Sequence, residues 1–290
     1  ILGLFILENF SRKKAQYHTP TKSGLKKKQP INLTGRKSFL AFTFCAVVFF
    51  ISFLFPVLQM LYWTISFPKH LADLNLIKLF LNTMLLVFLS SIMLISLSFI
   101  TNYGNRVTRS KLLNLLTTFS VSGYAIPGII LAVAFITFIS WFDNNVISFF
   151  GIKTIKSIFI GSIFGLILVY FIRFYSLASN GIKSGYMKIN YTIDESAYLL
   201  GYSKFKTFTN IHIPYLKNSM FLIGILVAIE IIKELPITLI MRPFNFETFA
   251  TTAYIFASQD LLEAAAAPSL FLIIIASFFI LITSRYILRD

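Results

Sequence analysis

The chain has 290 residues, 57% hydrophobic and 13% charged, with 33 Phe and a mean hydropathy of +0.78. This excludes a water-soluble globule, in which charged residues are about twice as frequent. Lys and Arg number 26 against 11 Asp and Glu, a net charge of +15 that suits either nucleic acid or the anionic face of a membrane, so the placement of the charges decides.

Residues 1–7 form an apolar stub, too short to span a bilayer and without the basic leader of a signal peptide. It reads as the end of a preceding transmembrane helix. Residues 8–37 read as a basic linker: Arg12, Lys13, Lys14, Lys22, Lys26, Lys27, Lys28, Arg36 and Lys37 are interspersed with the breakers Pro20, Gly24 and Pro30. From residue 38 to 290 the chain reads as one transmembrane domain. Its apolar runs cover residues 39–67, 79–100, 115–142, 157–178, 217–235 and 268–288. Each is near or above the ~20 residues that cross ~30 Å of hydrocarbon as a helix. The expected fold is therefore all-α and polytopic, with six complete transmembrane helices. Cys45 lies inside the first run, so neither a disulfide framework nor a Cys-based metal site is expected.

With the linker on the cytoplasmic side, the inner connections also carry Arg106, Arg109, Lys111, Lys183, Lys188, Lys204, Lys206, Lys217, Arg285 and Arg289. The outer connections carry only Lys69, Lys78, Lys153, Lys156 and Arg242. This is the positive-inside pattern, with both ends of the chain cytoplasmic. The basic excess is then membrane topology and lipid headgroup contact, not nucleic-acid binding. Arg173, inside the fourth run, reads as a snorkelling anchor near the inner interface.

Within the runs, Pro127 with Gly123 and Gly128 should kink the third. Gly161 and Gly165 have the spacing of a small-residue helix face on the fourth, and both sets suit either moving parts or static packing. His18, His70 and His212 are isolated, and no metal site is expected among them. Two connections exceed simple turns: an inner one over residues 179–215 and an outer one over 236–267, the latter long enough for a surface helix.

The inner connection reads DESAYLLGYSKFKTFTNIHIPYLKNSM from Asp194 to Met220. Asp194 and Glu195 suit a helix start, Gly201 suits a left-handed helix end, and Ser203 suits the N-cap of a second short helix. That helix should run to about Ile213, where Pro214 stops or redirects it. The spacing of Glu195, Ser196, Ala197, Gly201, Ile211, Ile213 and Pro214 resembles the EAA loop of the membrane subunits of ATP-binding cassette (ABC) importers, with Ser196 and Ile213 as conservative departures. The resemblance implies a coupling helix over residues 194–214 that docks in a groove of the ATPase subunit. Glu263-Ala264-Ala265 repeats the first letters but lies in the outer connection with Ser269 where Gly would stand, and reads as good helix-forming sequence.

KELPITLIMRPF at 233–244, residues 248–258 and 260–268, and YAIPG at 124–128 resemble more narrowly the ferric-iron importer permeases of the FbpB type. LENFSRKKAQYH at 7–18 resembles the junction between the halves of a fused permease in that group, which implies that this chain is the second half. The resemblance further implies a non-catalytic subunit of the bacterial inner membrane. Its partners would be an ATPase dimer, a periplasmic binding protein, the other permease half and membrane lipid. ATP and magnesium would be held by the ATPase, with no cofactor in this chain, which has no Gly-x-x-x-x-Gly-Lys-Ser/Thr loop. Thiamine, polyamine and sulfate importers share the EAA loop and remain alternatives for the substrate.

Glu230 and Lys233, three apart on the fifth helix, can face each other, whereas Lys233 and Glu234 cannot pair well. Glu230, Lys233, Glu234 and Pro236 read either as outer-interface anchors or as parts of an external gate. An ion-gradient-driven transporter would use the same carboxylates as its coupling site, but leaves the spacing from Glu195 to Pro214 without an account. An intramembrane enzyme has still less support, with no His-Glu-x-x-His pattern.

Overall fold

The structure is a computed structural model that describes residues 33–108, 110–150 and 159–287. The stub, almost all of the expected linker, and Arg109, Lys153, Lys156 and Arg289 lie outside the described residues. The described residues form helices joined by turns and loops, with no strand among them, and six of the helices are long and apolar enough to cross a membrane.

The chain divides into two units, residues 1–57 and 58–290. In the first, the described residues make most of helix α1 (Arg36–Ser66), with Phe39, Phe42 and Phe44 exposed. A helix apolar all round is stable in hydrocarbon, where its backbone is satisfied internally and no polar face is required. One turn of α1, Phe50–Leu54, is a π-helix, and Pro56 follows two residues later. Proline lacks the N–H of the α-helical ladder and crowds the carbonyl four residues back. The wider turn, with the Phe55 N–H reaching the Phe50 carbonyl, makes room for it.

The second unit contains α2 (Pro68–Ala72), α3 (Leu76–Thr108), α4 (Lys111–Val121), α5 (Gly128–Phe150) and α6 (Ile163–Tyr186). After these come α7 (Tyr191–Leu199), α8 (Lys204–Ile232), α9 (Pro236–Met241), α10 (Phe249–Ser258) and α11 (Leu262–Ile287). Its core is the mutual packing of α3, α6 and α8, where Leu86 and Leu94 meet Tyr170, Phe174, Val227 and Ile231. Large apolar side chains such as Phe88, Ile92, Phe138, Trp141, Ile274 and Phe278 point outward. Each would cost about 1.5–3 kcal/mol if left in water, and lipid removes that cost.

The third apolar run differs from the expected kinked helix: it is broken. After α4 the chain makes a 3₁₀ turn over Ser122–Ala125, Ile126 is extended, and α5 starts anew at Gly128. Pro127 forces this by excluding Ile126 from the helical region. The turn also lies so close to α6 that a Cβ on Gly123 would stand 2.2 Å from the Ile172 carbonyl oxygen. In the fourth run, Gly161 precedes α6 with φ 68°, and a Cβ on Gly165 would meet the Phe159 carbonyl oxygen at 2.3 Å. These glycines shape the entry into α6 and do not form a helix-packing face.

The fifth helix begins earlier than its apolar run. Ser203 caps it as expected, accepting from the Lys206 N–H at 3.3 Å, but Pro214 does not end it. A π turn at Phe208–His212 precedes Pro214 just as Phe50–Leu54 precedes Pro56, and α8 continues to Ile232. The outer connection holds α9 and α10, and α11 starts six residues before the expected span. Ala264–Ala267 are buried where α11 packs on α10, so the alanine run is a close-packing surface as well as good helix former.

Candidate functional site

Two groups of buried charges stand apart in the bundle, one beside the connection between α6 and α8 and one where α8 ends. The first supports the loop that carries the EAA-like spacing. Asn190 caps α7, which starts three residues before Asp194. The helix ends in a Schellman turn: the Tyr202 N–H reaches the Ala197 carbonyl, the Gly201 N–H reaches that of Tyr198, and Gly201 has φ 82°. No atom stands within 4 Å of where a Gly201 Cβ would be, so the conformation itself, and not crowding, calls for glycine there.

Asp194 lies in the first turn of α7, as expected, and is also buried inside the motif. Its Oδ2 accepts from Arg106 Nη2 at 2.6 Å and Nε at 2.8 Å, and its Oδ1 lies 2.7 Å from His212 Nε2. Arg106 Nη2 also donates to the Asn190 carbonyl at 3.0 Å, and its guanidinium stacks 4.2 Å from the Tyr191 ring centre. His212, wholly buried, lies between the rings of Tyr103 and Tyr186. Tyr103 in turn donates to the Lys204 carbonyl at 2.6 Å. One guanidinium thus joins the last turn of α3 to the start of α7, and Asp194 extends the link to α8. Arg106 is more than a stop-transfer charge, and His212 is not isolated.

Of the singled-out loop residues, Ala197 faces inward and Ile211 is half-buried, while Glu195, Ser196, Gly201, Ile213 and Pro214 are exposed. Ser196 donates to the Thr192 carbonyl of its own helix at 2.8 Å. Between these positions project Leu199 and Leu200, 89% and 78% exposed, with Phe205 at 74% across the turn. The motif spacing did not single out these three. A Leu-Leu pair just before a helix-ending Gly, opposite the inward Asp194 and Ala197, is the sequence signal for them.

The second group lies where α8 ends. Glu230 and Lys233 pair at 2.7 Å, as their spacing predicts, on an accessible surface. Glu234 is buried instead, with Oε2 3.3 Å from Arg173 Nε. Arg173 is therefore not an interfacial anchor: it lies mid-helix in α6 and also donates from Nη1 to the Ile126 carbonyl at 2.9 Å. The other carboxylate oxygen of Glu234 accepts from the Ile237 N–H at 3.4 Å, its carbonyl accepts from Thr238 Oγ1 at 2.7 Å, and Tyr170 bonds to the Thr238 hydroxyl. Pro236 opens α9. A Cβ on Gly128 would stand 3.0 Å from Glu234 Oε1 and 3.2 Å from Arg173 Nη1, so the pair sits directly on the start of α5. Beside it is a small cavity with room for about one water, bounded by Thr83, Tyr170, Glu234, Thr238 and Thr248. Among the described residues, no three His, Cys, Asp or Glu converge as a metal site.

No protein-family model matches the chain. A permease protein of an Fe(3+)-transport system from Haemophilus influenzae, FbpB 2, is 20% identical over 253 residues, which are 86% of this chain and 47% of that protein. The chain thus spans about half the length of the curated relative it matches. Among solved structures, a bacterial alginate ABC transporter in complex with an alginate pentasaccharide-bound periplasmic protein contains a chain that superposes with a TM-score of 0.66 at 18% identity, covering 85% of this chain and 92% of that one. A second structure, of an ABC transporter involved in the import of alginate, matches equally well over 86% and 94%. The chain, with its six candidate spans, thus shares its overall all-helical fold with a chain of these ABC transporters.

Proposed function

We propose that the chain is a permease unit of an ABC importer, coupled through residues 194–214 to a separate ATPase, and that its cargo is ferric iron presented by a periplasmic binding protein. The observation that carries the coupling is the loop itself. Leu199, Leu200 and Phe205 are uncovered apolar side chains on a turn that Arg106, Asp194 and His212 hold rigidly to the spans. A pushed knob transmits force only if it cannot fold away, and buried charge-assisted hydrogen bonds supply that stiffness. In this reading the loop, the basic linker and both ends of the chain are cytoplasmic, in keeping with the positive-inside distribution. The other permease half is fused upstream or supplied separately, and ATP with its magnesium belongs to the ATPase.

Iron is supported by the similarity to the Haemophilus protein, which is confined to about half of its length, and by the stretch from Lys233 to Phe244. In this reading Glu230, Lys233, Glu234 and Pro236 belong to the external gate, where Glu230 is accessible and paired with Lys233 and Glu234 is buried against Arg173.

Affinity purification of the full-length protein from its own membranes tests the reading. An ATPase chain should accompany the wild type and be lost from a Glu195→Lys, Gly201→Asp variant. Absence of an ATPase from an intact wild-type preparation would refute the coupling. Radioactive iron uptake, compared with sulfate and thiamine uptake in the same cells, tests the cargo.

A further inference from the structure

The helices are interrupted at two places: the third apolar run breaks at residues 122–128, and after α8 ends at Ile232 the chain turns through residues 233–235 into α9. They are far apart in sequence, yet both reach the same side chain. Arg173 donates Nη1 to the Ile126 carbonyl, the group freed by the break before Pro127, and turns Nε to Glu234, whose other oxygen accepts from the first turn of α9. Gly128, the first residue of α5, lies against both members of the pair, and α9 packs on both α5 and α6. A lone charge in the middle of a span would cost about 2.5–3.5 kcal/mol on insertion scales, so neither Arg173 nor Glu234 is placed here without a partner. The planar guanidinium donates to the Ile126 carbonyl with one nitrogen and holds another within ion-pair distance of Glu234, a spread that a single ammonium cannot reproduce in the same geometry.

We propose that Arg173 is a positioning residue that ties the two breaks into one latch, so that the third-run turn and α9 loosen together or not at all. The surroundings suit a movable tie: the Arg173–Glu234 contact is a single 3.3 Å approach, and a cavity of about one water's volume lies beside Glu234. The consequence for transport, coordinated opening of the path, rests on the importer reading; the tie itself does not.

Hydrogen–deuterium exchange on the full-length protein in mild detergent reads the tie without any transport assay. In Glu234→Gln, exchange should accelerate at least about tenfold in residues 235–241 and also in 122–128, although Glu234 donates nothing to the latter. In Arg173→Lys, which keeps a charge for Glu234 but has no fork, 122–128 should accelerate while 235–241 stays within about twofold of wild type. Acceleration confined to 235–241 in Glu234→Gln would overturn the latch, as would unchanged exchange in 122–128 in Arg173→Lys. If Glu234→Gln does not fold, Glu234→Asp serves instead, because its shorter side chain draws the carboxylate away from Arg173 while keeping the charge. Acceleration in both segments supports the tie, and acceleration confined to 235–241 overturns it. Failure of these outcomes alongside a co-purifying ATPase removes the latch and leaves the importer reading standing. Joint loosening in a protein that captures no ATPase does the reverse.

Discussion

The Arg106–Asp194–His212 group and the Arg173–Glu234 pair are both buried charges at helix interruptions, yet they are built differently. Arg106 gives two short bonds to one carboxylate oxygen, a third to a backbone carbonyl and a face to Tyr191, and Asp194 spends its other oxygen on His212. Arg173 makes one carbonyl bond and one longer carboxylate contact beside a cavity. The density of short, charge-assisted bonds separates a brace from a joint: the first group holds a loop in one geometry, whereas the second joins its elements through fewer and longer contacts.

The largest expected effect is on the brace. Asp194→Ala leaves Arg106 buried without its partner and should destabilise the protein by roughly 3–5 kcal/mol, measured as loss of thermal stability in detergent. A fall no greater than that of an exposed substitution would show that the group is not a brace. At the joint, Glu234→Gln should lower uptake strongly while ATPase association is kept, and unchanged uptake would remove Glu234 from the path. Its neighbours provide the contrast: Glu230 and Lys233 form an accessible pair, so Lys233→Ala should cost only about 0.2–1 kcal/mol.

On the loop, Leu199→Glu with Leu200→Glu should leave stability within about 0.5 kcal/mol, since both are exposed, yet abolish capture of an ATPase in the co-purification. Small opposite effects on stability come from two turns of the same type. Gly201 and Asp260 both end helices in left-handed conformations, with φ 82° and 60°. Gly201→Ala should destabilise by about 1 kcal/mol and Asp260→Gly should stabilise by up to a similar amount, both read as shifts in thermal midpoint.

Much of the local geometry was legible in the residues. Ser203 as a cap and Gly201 as a left-handed end follow from side-chain chemistry within a few positions, and the Glu230–Lys233 pair follows from helical spacing. Pro214 misled because its effect depends on the preceding turn: a π turn absorbs the missing N–H, as it does before Pro56, and the helix runs on. Arg173 misled because distance along a helix says how far a side chain can snorkel but not whether a carboxylate from another helix waits beside it. The cost of a charge in a span was the available clue, since it demands a partner and Glu234 had none nearby in sequence.

The sequence by itself determined that the chain is an all-helical membrane protein, with the number and rough extent of its spans, because hydropathy and backbone preference act locally and accumulate along the chain. The tertiary structure alone decided which charges meet. Arg106 reaches Asp194 across 88 residues, and Arg173 gathers Glu234 together with the Ile126 carbonyl. Such meetings depend on how α3, α6 and α8 pack. Once packed, the low dielectric makes an unpaired charge so costly that Arg106, Asp194, Arg173 and Glu234 each stand beside a partner of opposite sign.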